Sequence, residues 1–257
     1  MLIVISPAKT LDYESSVPSR KFSQPQFIEE SEKLIKVLRR KAPDDIQDLM
    51  HISSKLAELN LSRYLNWERP FSPKNARPAI FAFKGDVYAG LEVQQYKAAD
   101  LDFAQEHLRI LSGLYGVLRP LDLIQPYRLE MGIKLKNSRG DSLYDFWGEQ
   151  LGASIVEALE GQKDNLLINL ASNEYFKAIQ GKIRGAEIIT PIFKDYKNGQ
   201  YKVISFFAKK ARGLMSSYII KNRVTNIAGL VLFQDEGYRF SKKDSVGKEL
   251  VFLRKQS

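Results

Sequence analysis

The sequence predicts a single mixed α+β domain that spans residues 1–257. Amphipathic helical patterns alternate with short apolar runs typical of buried strands, and no internal repeat or low-complexity linker separates them. The 257 residues are 44% hydrophobic and 27% charged, ordinary values for a globular protein that exclude long disorder, collagen and coiled-coil rods. A chain of this length buries about three quarters of its unfolded surface, so it needs neither disulfides nor a metal to hold a core.

Apolar periodicity and helix-boundary residues predict the elements of the N-terminal half. A first strand is followed by an amphipathic helix that stops before Pro43. Asp44 and Ser53, or the serine after it, can cap two short helices joined by a tight turn. After a proline-rich loop and a second strand, Asp100 can begin a helix that Gly113 ends. The predicted strands are residues 2–5 and 79–83, and the predicted helices are residues 26–41, 44–50, 53–65 and 100–113.

The C-terminal half is predicted from glycine signals, caps and alternating patterns. Gly161 closes an amphipathic helix, and Ser172 can cap a short helix after a buried strand. Asn198-Gly199 is a hairpin signal, and Gly247 lies in the turn of a last hairpin. The predicted helices are residues 141–159, 172–179 and 209–221, and the predicted strands are residues 166–170, 187–193, 201–207, 238–240 and 250–253.

The formal net charge of +9 is concentrated in one region of the chain. Residues 1–193 are neutral overall, with 25 basic and 25 acidic side chains, whereas residues 194–223 carry eight basic side chains and one acidic one. Lys209, Lys210 and Arg212 open the predicted helix 209–221, where cations oppose the helix dipole. A bound polyanion would remove this conflict, and a solvated basic face is the alternative interpretation.

Several classes of site are excluded by what the chain does not contain. It has no Cys and only two His, which excludes thiol nucleophiles, Fe–S clusters, Cys-bound zinc and His-rich metal sites. The motifs of common hydrolases, kinases and dinucleotide-binding enzymes are missing. The first apolar run has four residues and no run approaches a membrane span, so we expect a cytoplasmic protein with no membrane partner, no cofactor and no metal.

Five segments place polar residues among apolar ones and are the candidates for function. They are residues 6–10, 83–88, 108–132, 169–177 and 208–213. Loops at strand ends, glycine turns and helix N-termini can all bind anions. Each segment also has a structural interpretation: solvated lysines, an ordinary turn, capping by Ser172, and ion pairs of the central arginines with Asp122 and Glu130.

Five stretches of the sequence resemble the YaaA family of bacterial peroxide-stress proteins. They are MLIVISPAKTLDY, FAFKGDVYAGL, LRILSGLYGVLRPLDLIQPYRLEMG, NLASNEYFK and ISFFAKKARGLMSSYII. The resemblance implies the family's own single-domain α+β fold, called the cantaloupe fold, with a positively charged cleft and a helix-hairpin-helix element. It also implies binding of duplex, branched or bubbled DNA without strong sequence preference. The implied role is in the hydrogen peroxide response, where the protein protects DNA and limits damage from intracellular free iron.

The resemblance also implies site residues. The predicted helical hairpin of residues 44–65 is the candidate helix-hairpin-helix element, although its turn has Ile52 and two serines where a glycine is common. The backbone N–H groups of Ser53, Ser54 and Lys55, and the Lys55 ammonium, are then expected to bind DNA phosphates. The residues expected to line the charged cleft are Lys9, Lys84, Arg109, Arg119, Arg128, Lys209, Lys210 and Arg212.

Two other functions are weighed beside DNA binding. One is an enzyme acting on nucleic acid or nucleotides through the loops of residues 6–9 and 84–86, because a desolvated lysine beside other cations can act as a base or nucleophile. No enzymatic activity is established for the family, so we expect a binding protein. The other is direct iron sequestration, for which the sequence shows no cluster of carboxylates and His. Without Cys, the protein cannot consume peroxide through a thiol.

Overall fold

The computed structural model describes residues 1–162 and 164–255 and shows a mixed α+β fold. Its strands are β1 (Leu2–Ile5), β2 (Thr10–Leu11), β3 (Arg77–Pro78), β4 (Phe83–Lys84), β5 (Leu108–Ser112), β6 (Gly116–Leu118), β7 (Leu123–Ile124), β8 (Leu166–Leu170), β9 (Glu187–Lys197), β10 (Gln200–Lys202), β11 (Arg239–Phe240) and β12 (Glu249–Arg254). Its α-helices are α1 (Ile28–Leu38), α2 (Pro43–Met50), α3 (Ser54–Asn66), α4 (Ala79–Ala82), α5 (Asp86–Leu91), α6 (Ala98–His107), α7 (Leu143–Trp147), α8 (Gln150–Glu160), α9 (Asn173–Phe176), α10 (Ser205–Asn222) and α11 (Ile227–Leu230).

An eight-stranded mixed sheet organises the fold. Its order is β11-β12-β9-β8-β1-β5-β6, with β10 paired to β9. The strands β5, β1, β8, β9 and β12 pair in parallel, the antiparallel pairs β11–β12 and β5–β6 lie at the two edges, and β10 pairs antiparallel with the end of β9. The fully buried β1 is therefore flanked by parallel neighbours on both sides. Because parallel strands end at the same edge of a sheet, the loops after β1 and β8 meet there.

Two small antiparallel ladders attach further segments to this sheet. Strand β2 pairs with β4, with Thr10 opposite Lys84, and β3 pairs with β7. The buried apolar residues of the large sheet and of the surrounding helices form one continuous core. Within the part of the chain that the structure describes, no helix is both long and apolar enough to cross a membrane.

Several elements confirm the sequence predictions. Strands β1 and β8 lie where their apolar runs predict them, and α2 covers the predicted residues, although Ala42 rather than Asp44 stands at its N-cap. Asn198 and Gly199, both at positive φ, form the turn between β9 and β10. The last hairpin, β11 with β12, is also present.

Other predictions are wrong, mainly where an apolar run fits two kinds of element. Residues 79–83 were expected to form a strand, but Ala79–Ala82 is a helical turn between two short strands. The helix predicted over 100–113 ends at His107, and Leu108–Ser112 is the strand β5 beside β1. The helix predicted over 141–159 breaks at Gly148, which has a positive φ. The strand predicted over 201–207 ends at Lys202, and α10 begins at Ser205.

The helices α2 and α3 form the predicted pair with a short turn. The turn closes without glycine because His51 takes the left-handed conformation, with φ 50° and ψ 53°. Ser53 caps α3 by accepting a hydrogen bond from the Leu56 backbone N–H at 3.4 Å. Leu56 is 37% exposed, so it does not form the buried face that its helical spacing suggests. That face instead contains Ala57, Asn60 and Tyr64.

Helices α5 and α10 cross at a contact made by two glycines. A Cβ on Gly213 of α10 would lie 1.9 Å from the carbonyl oxygen of Val87 in α5. A Cβ on Gly90 of α5 would lie 2.2 Å from the carbonyl oxygen of Lys210. The two backbones touch directly, which sets where the N-terminal half of α10 lies against the loop before α5.

Candidate functional site

A cleft of about 510 Å³ opens where the loops after β1 and β8 meet. All five segments singled out from the sequence contribute to its lining. Its basic side chains are Lys9, Lys84, Arg128, Lys209 and Arg212, and its acidic side chains are Asp86, Glu130 and Glu174. The described part of the lining therefore carries a formal net charge of +2, from residues that are far apart in the chain.

Ser6 joins three of these elements. Its hydroxyl accepts a hydrogen bond from the Ser172 backbone N–H at 2.8 Å and donates to the Ser172 hydroxyl at 3.2 Å. Its carbonyl oxygen accepts from the Tyr88 hydroxyl at 3.2 Å. The end of β1 is thereby fixed to the loop after β8 and to α5. The prediction that Ser172 caps a helix through residue 179 is wrong: α9 ends at Phe176, and the Ser172 side chain makes no capping bond.

The ladder of β2 with β4 brings the loops of residues 6–10 and 84–86 together. Thr10 lies opposite Lys84 in the ladder. Ala8 packs so closely on Gly85 that a Cβ there would lie 3.2 Å from the Ala8 Cβ. Lys9 and Lys84 consequently approach the same cleft from two different strands.

Glu130 neutralises two of the five cations. Its carboxylate pairs with Lys9 at 2.6 Å and with Arg128 at 3.2 Å. Glu174 accepts a hydrogen bond from the Gly132 backbone N–H at 2.9 Å, which ties the same segment to α9. The predicted structural pairing of Arg128 is thus confirmed, although Arg128 still lines the cleft.

Lys84, Lys209 and Arg212 form no ion pair with any carboxylate in residues 1–162 and 164–255. Arg212 is partly buried, and desolvation lowers its pKa from the usual value. A desolvated guanidinium without a partner is unfavourable, because nothing replaces the water it has lost. These three side chains, which we call the unpaired cations, are therefore the groups most suited to an anionic ligand.

Three tyrosines also line the cleft. Tyr88, Tyr127 and Tyr175 are each at most 8% exposed. Burial raises the pKa of all three hydroxyls above the usual value, so they stay protonated at neutral pH. These tyrosines and the cleft carboxylates are not among the site residues predicted from the sequence. Which side chains line the cleft depends on how the loops fold, and a local sequence pattern does not show this.

A family model described as peroxide stress protein YaaA matches residues 1–244. The chain belongs to this family. The match includes every segment that lines the cleft.

Two arginines expected in the cleft lie elsewhere. Arg109 and Arg119 line a separate cavity of about 410 Å³ beside Asp122. Arg119 pairs with the buried Asp122 at 3.0 Å, so its structural interpretation is confirmed. The guanidinium of Arg109 donates to the carbonyl oxygens of Gln105 and Leu108, and burial lowers its pKa to about 10. Arg109 lies within β5 and Arg119 directly follows β6, and neither strand is predicted from the sequence.

Lys210 does not line the cleft and instead pairs with Glu236 at 2.5 Å. The helix begins at Ser205, four residues before Lys209. The expected conflict of Lys209, Lys210 and Arg212 with the helix dipole is therefore reduced, since that field acts mainly on the first turn. What distinguishes Lys209 and Arg212 is their position in the cleft.

The turn of residues Ser53, Ser54 and Lys55 is exposed and does not line the cleft. All three residues are solvent-exposed, with the backbone of α3 beginning at Ser54. Their expected contact with DNA stays a prediction for this member of the family.

The described residues were also compared with the requirements of a metal site. Among residues 1–162 and 164–255, no group of three or more His, Asp or Glu side chains could hold a metal ion.

Proposed function

We propose that this protein binds DNA through the sugar–phosphate backbone and acts within the peroxide stress response of its family. The observation that carries the proposal is the group of unpaired cations, Lys84 on β4 with Lys209 and Arg212 on α10, which line one cleft. A cation without a carboxylate partner gains most from a phosphate, and release of counterions from DNA adds to the affinity. Phosphate contacts of this kind are independent of base sequence.

The turn before α3 offers a second contact to the same ligand. The N-terminus of this 13-residue helix leaves backbone N–H groups at Ser54 and Lys55 for a phosphate, and Lys55 adds a full charge. With the cleft, it would hold duplex or branched DNA at two places. Coverage of DNA is the means by which the protein would protect it and limit damage initiated by free iron.

A salt series tests this function directly. We expect the wild-type protein to retard a labelled duplex of random sequence, with log K falling linearly against log salt at a slope of about −0.9 for each phosphate bound. A branched junction should bind with a comparable slope. An affinity that does not change with salt, or no binding at low salt, would contradict the proposal.

Glu130→Gln provides a test in the opposite direction. Glu130 neutralises both Lys9 and Arg128. Replacing its carboxylate with a neutral amide removes both ion pairs and leaves the two cations available to the ligand. We expect DNA affinity to rise about threefold to tenfold, with a steeper salt slope. The control Glu160→Gln makes the same charge change at an exposed residue outside the cleft and should have little effect. A lower DNA affinity for Glu130→Gln would indicate that DNA binds outside this cleft.

An enzyme acting on nucleic acid or nucleotides is the second candidate, favoured by one observation. Asp86 lies in the cleft beside Lys84, and within the described residues its carboxylate accepts no hydrogen bond. A carboxylate without such a partner can act as a general base. Incubation with defined DNA structures and nucleotides, with and without Mg²⁺, discriminates the two functions, because only the enzyme changes the substrate.

A further inference from the structure

A second cavity, which we call the proline cavity, lies apart from the cleft. It has a volume of about 510 Å³ and is enclosed by the segment before α1, the loop before β3 and residues around β7. Four basic side chains line it: Arg20, Lys21, Lys74 and Arg77. No Asp or Glu lines it in the part of the chain that the structure describes. Neither the family match nor the proposed function assigns a role to it.

The remaining walls of the proline cavity are mostly apolar. Phe22, Pro73, Pro78, Leu123 and Pro126 all contribute, and Phe22 is 48% exposed. Small-molecule sites are typically cavities of this size with apolar walls and a few polar groups that orient the ligand. The aromatic ring of Phe22 provides a flat surface against which a planar apolar group can pack, and the proline rings add rigid apolar surface beside it.

The charges of the cavity are largely uncompensated. Lys21 pairs with Asp102 at 2.6 Å, and both partners are exposed. Arg20, Lys74 and Arg77 have no ion pair in residues 1–162 and 164–255. The Asp12 oxygens accept hydrogen bonds from Ser15 and Glu14, which lower the pKa of its carboxyl. Arg77 is close enough to help lower this pKa but forms no ion pair with Asp12.

Arg77 is the most informative of the four residues. It is 7% exposed, and its Nε donates to the carbonyl oxygen of Phe81 at 3.1 Å. Its Nη2 is buried and has no hydrogen-bond partner among the described residues. A buried guanidinium donor costs stability unless an acceptor pairs with it, and an anionic acceptor gives the stronger bond. Strand β3, through its pairing with β7, holds this residue in place at the cavity.

We propose that the proline cavity binds a small organic phosphate whose planar apolar body packs on Phe22 and the prolines. Three cations without a carboxylate partner match a dianionic phosphate better than a single carboxylate. The apolar walls match a ligand that carries its charge at one end. This site would act independently of DNA in the cleft.

Isothermal titration calorimetry with 1-naphthyl phosphate tests the proposal on the full-length protein. We expect saturable binding of 1-naphthyl phosphate. The two parts of the probe, 1-naphthol and inorganic phosphate, should each bind at least about tenfold more weakly. Equal affinity for 1-naphthol would indicate adsorption to apolar surface, and equal affinity for inorganic phosphate would indicate simple charge attraction. Either result, or a lack of saturable binding, would overturn the proposal.

Variants locate the binding site. Arg20→Gln/Lys74→Gln removes two exposed cations from the rim without disturbing the buried Arg77, and should lose about tenfold in affinity for 1-naphthyl phosphate. Lys242→Gln/Lys243→Gln makes the same charge change at exposed residues outside the cavity and should bind as the wild type does. If the first variant retains wild-type affinity and stoichiometry, the ligand binds elsewhere and the proposal is wrong.

Discussion

Replacing the three unpaired cations together, in Lys84→Gln/Lys209→Gln/Arg212→Gln, should weaken DNA binding about a hundredfold at low salt. Lys84 reaches the cleft from β4, and Lys209 and Arg212 reach it from α10. Among the described residues none of the three pairs with a carboxylate, so their replacement breaks no ion pair within the protein. The salt slope should fall in magnitude by about 0.9 for each phosphate contact that is lost. A gel-shift or fluorescence-anisotropy series at several salt concentrations measures both quantities.

The control separates the cleft from the overall charge of the protein. Arg184→Gln/Lys242→Gln/Lys243→Gln removes three exposed positive charges that do not line the cleft. It should leave the slope near its wild-type value and lower the affinity only slightly. If the two triple variants behave alike, the protein binds DNA through its net charge and the cleft has no special role. Circular dichroism should show the same fold for both.

Gly213→Ala should destabilise the protein by about 3 kcal/mol or more. The added Cβ would lie 1.9 Å from the Val87 carbonyl oxygen, which is backbone and cannot rotate away. Helices α5 and α10 would have to separate, and a contact across much of both helices would be lost. Urea unfolding followed by circular dichroism measures the change as a lower midpoint.

Gly161→Ala is the matched control for this substitution. Gly161 has a φ of −73°, and its added Cβ would meet no atom nearer than 3.8 Å. Its replacement should be neutral or stabilise slightly, because alanine reduces the freedom of the unfolded chain. A Gly213→Ala protein as stable as the wild type would show that α5 and α10 lie farther apart than in the structure. In that case the close contact between the two helices would not be what positions Lys209 and Arg212 at the cleft.

Much of the secondary structure could be predicted because its signals are local. The apolar run of β1 and the Asn198-Gly199 turn each belong to a few consecutive residues. Strand β5 was missed because Leu108 and Leu111 continue the helical spacing of the preceding segment. What makes Leu108–Ser112 a strand is its pairing with β1, more than a hundred residues earlier in the chain.

The candidate site was predicted in its parts. Lys9, Lys84, Arg128, Lys209 and Arg212 were all singled out from their local context, and all five line one cleft. Arg109 and Arg119 had the same apolar context but lie in another cavity. Local sequence does not distinguish the cleft cations from these two arginines. The direction of a side chain depends on its position along a strand and on the strand with which that strand pairs.

Composition and local pattern alone establish that this chain is a mixed α+β protein without Cys, that residues 194–223 are basic and that five segments are candidates for function. Tertiary structure decides which cations share a cleft and which of them are already neutralised, as Glu130 neutralises Lys9 and Arg128. It also reveals the proline cavity, whose Arg77 is inconspicuous in the sequence. The physical reason is that charge compensation and burial depend on distances across the β1–β8 and β2–β4 pairings, between residues far apart in the chain.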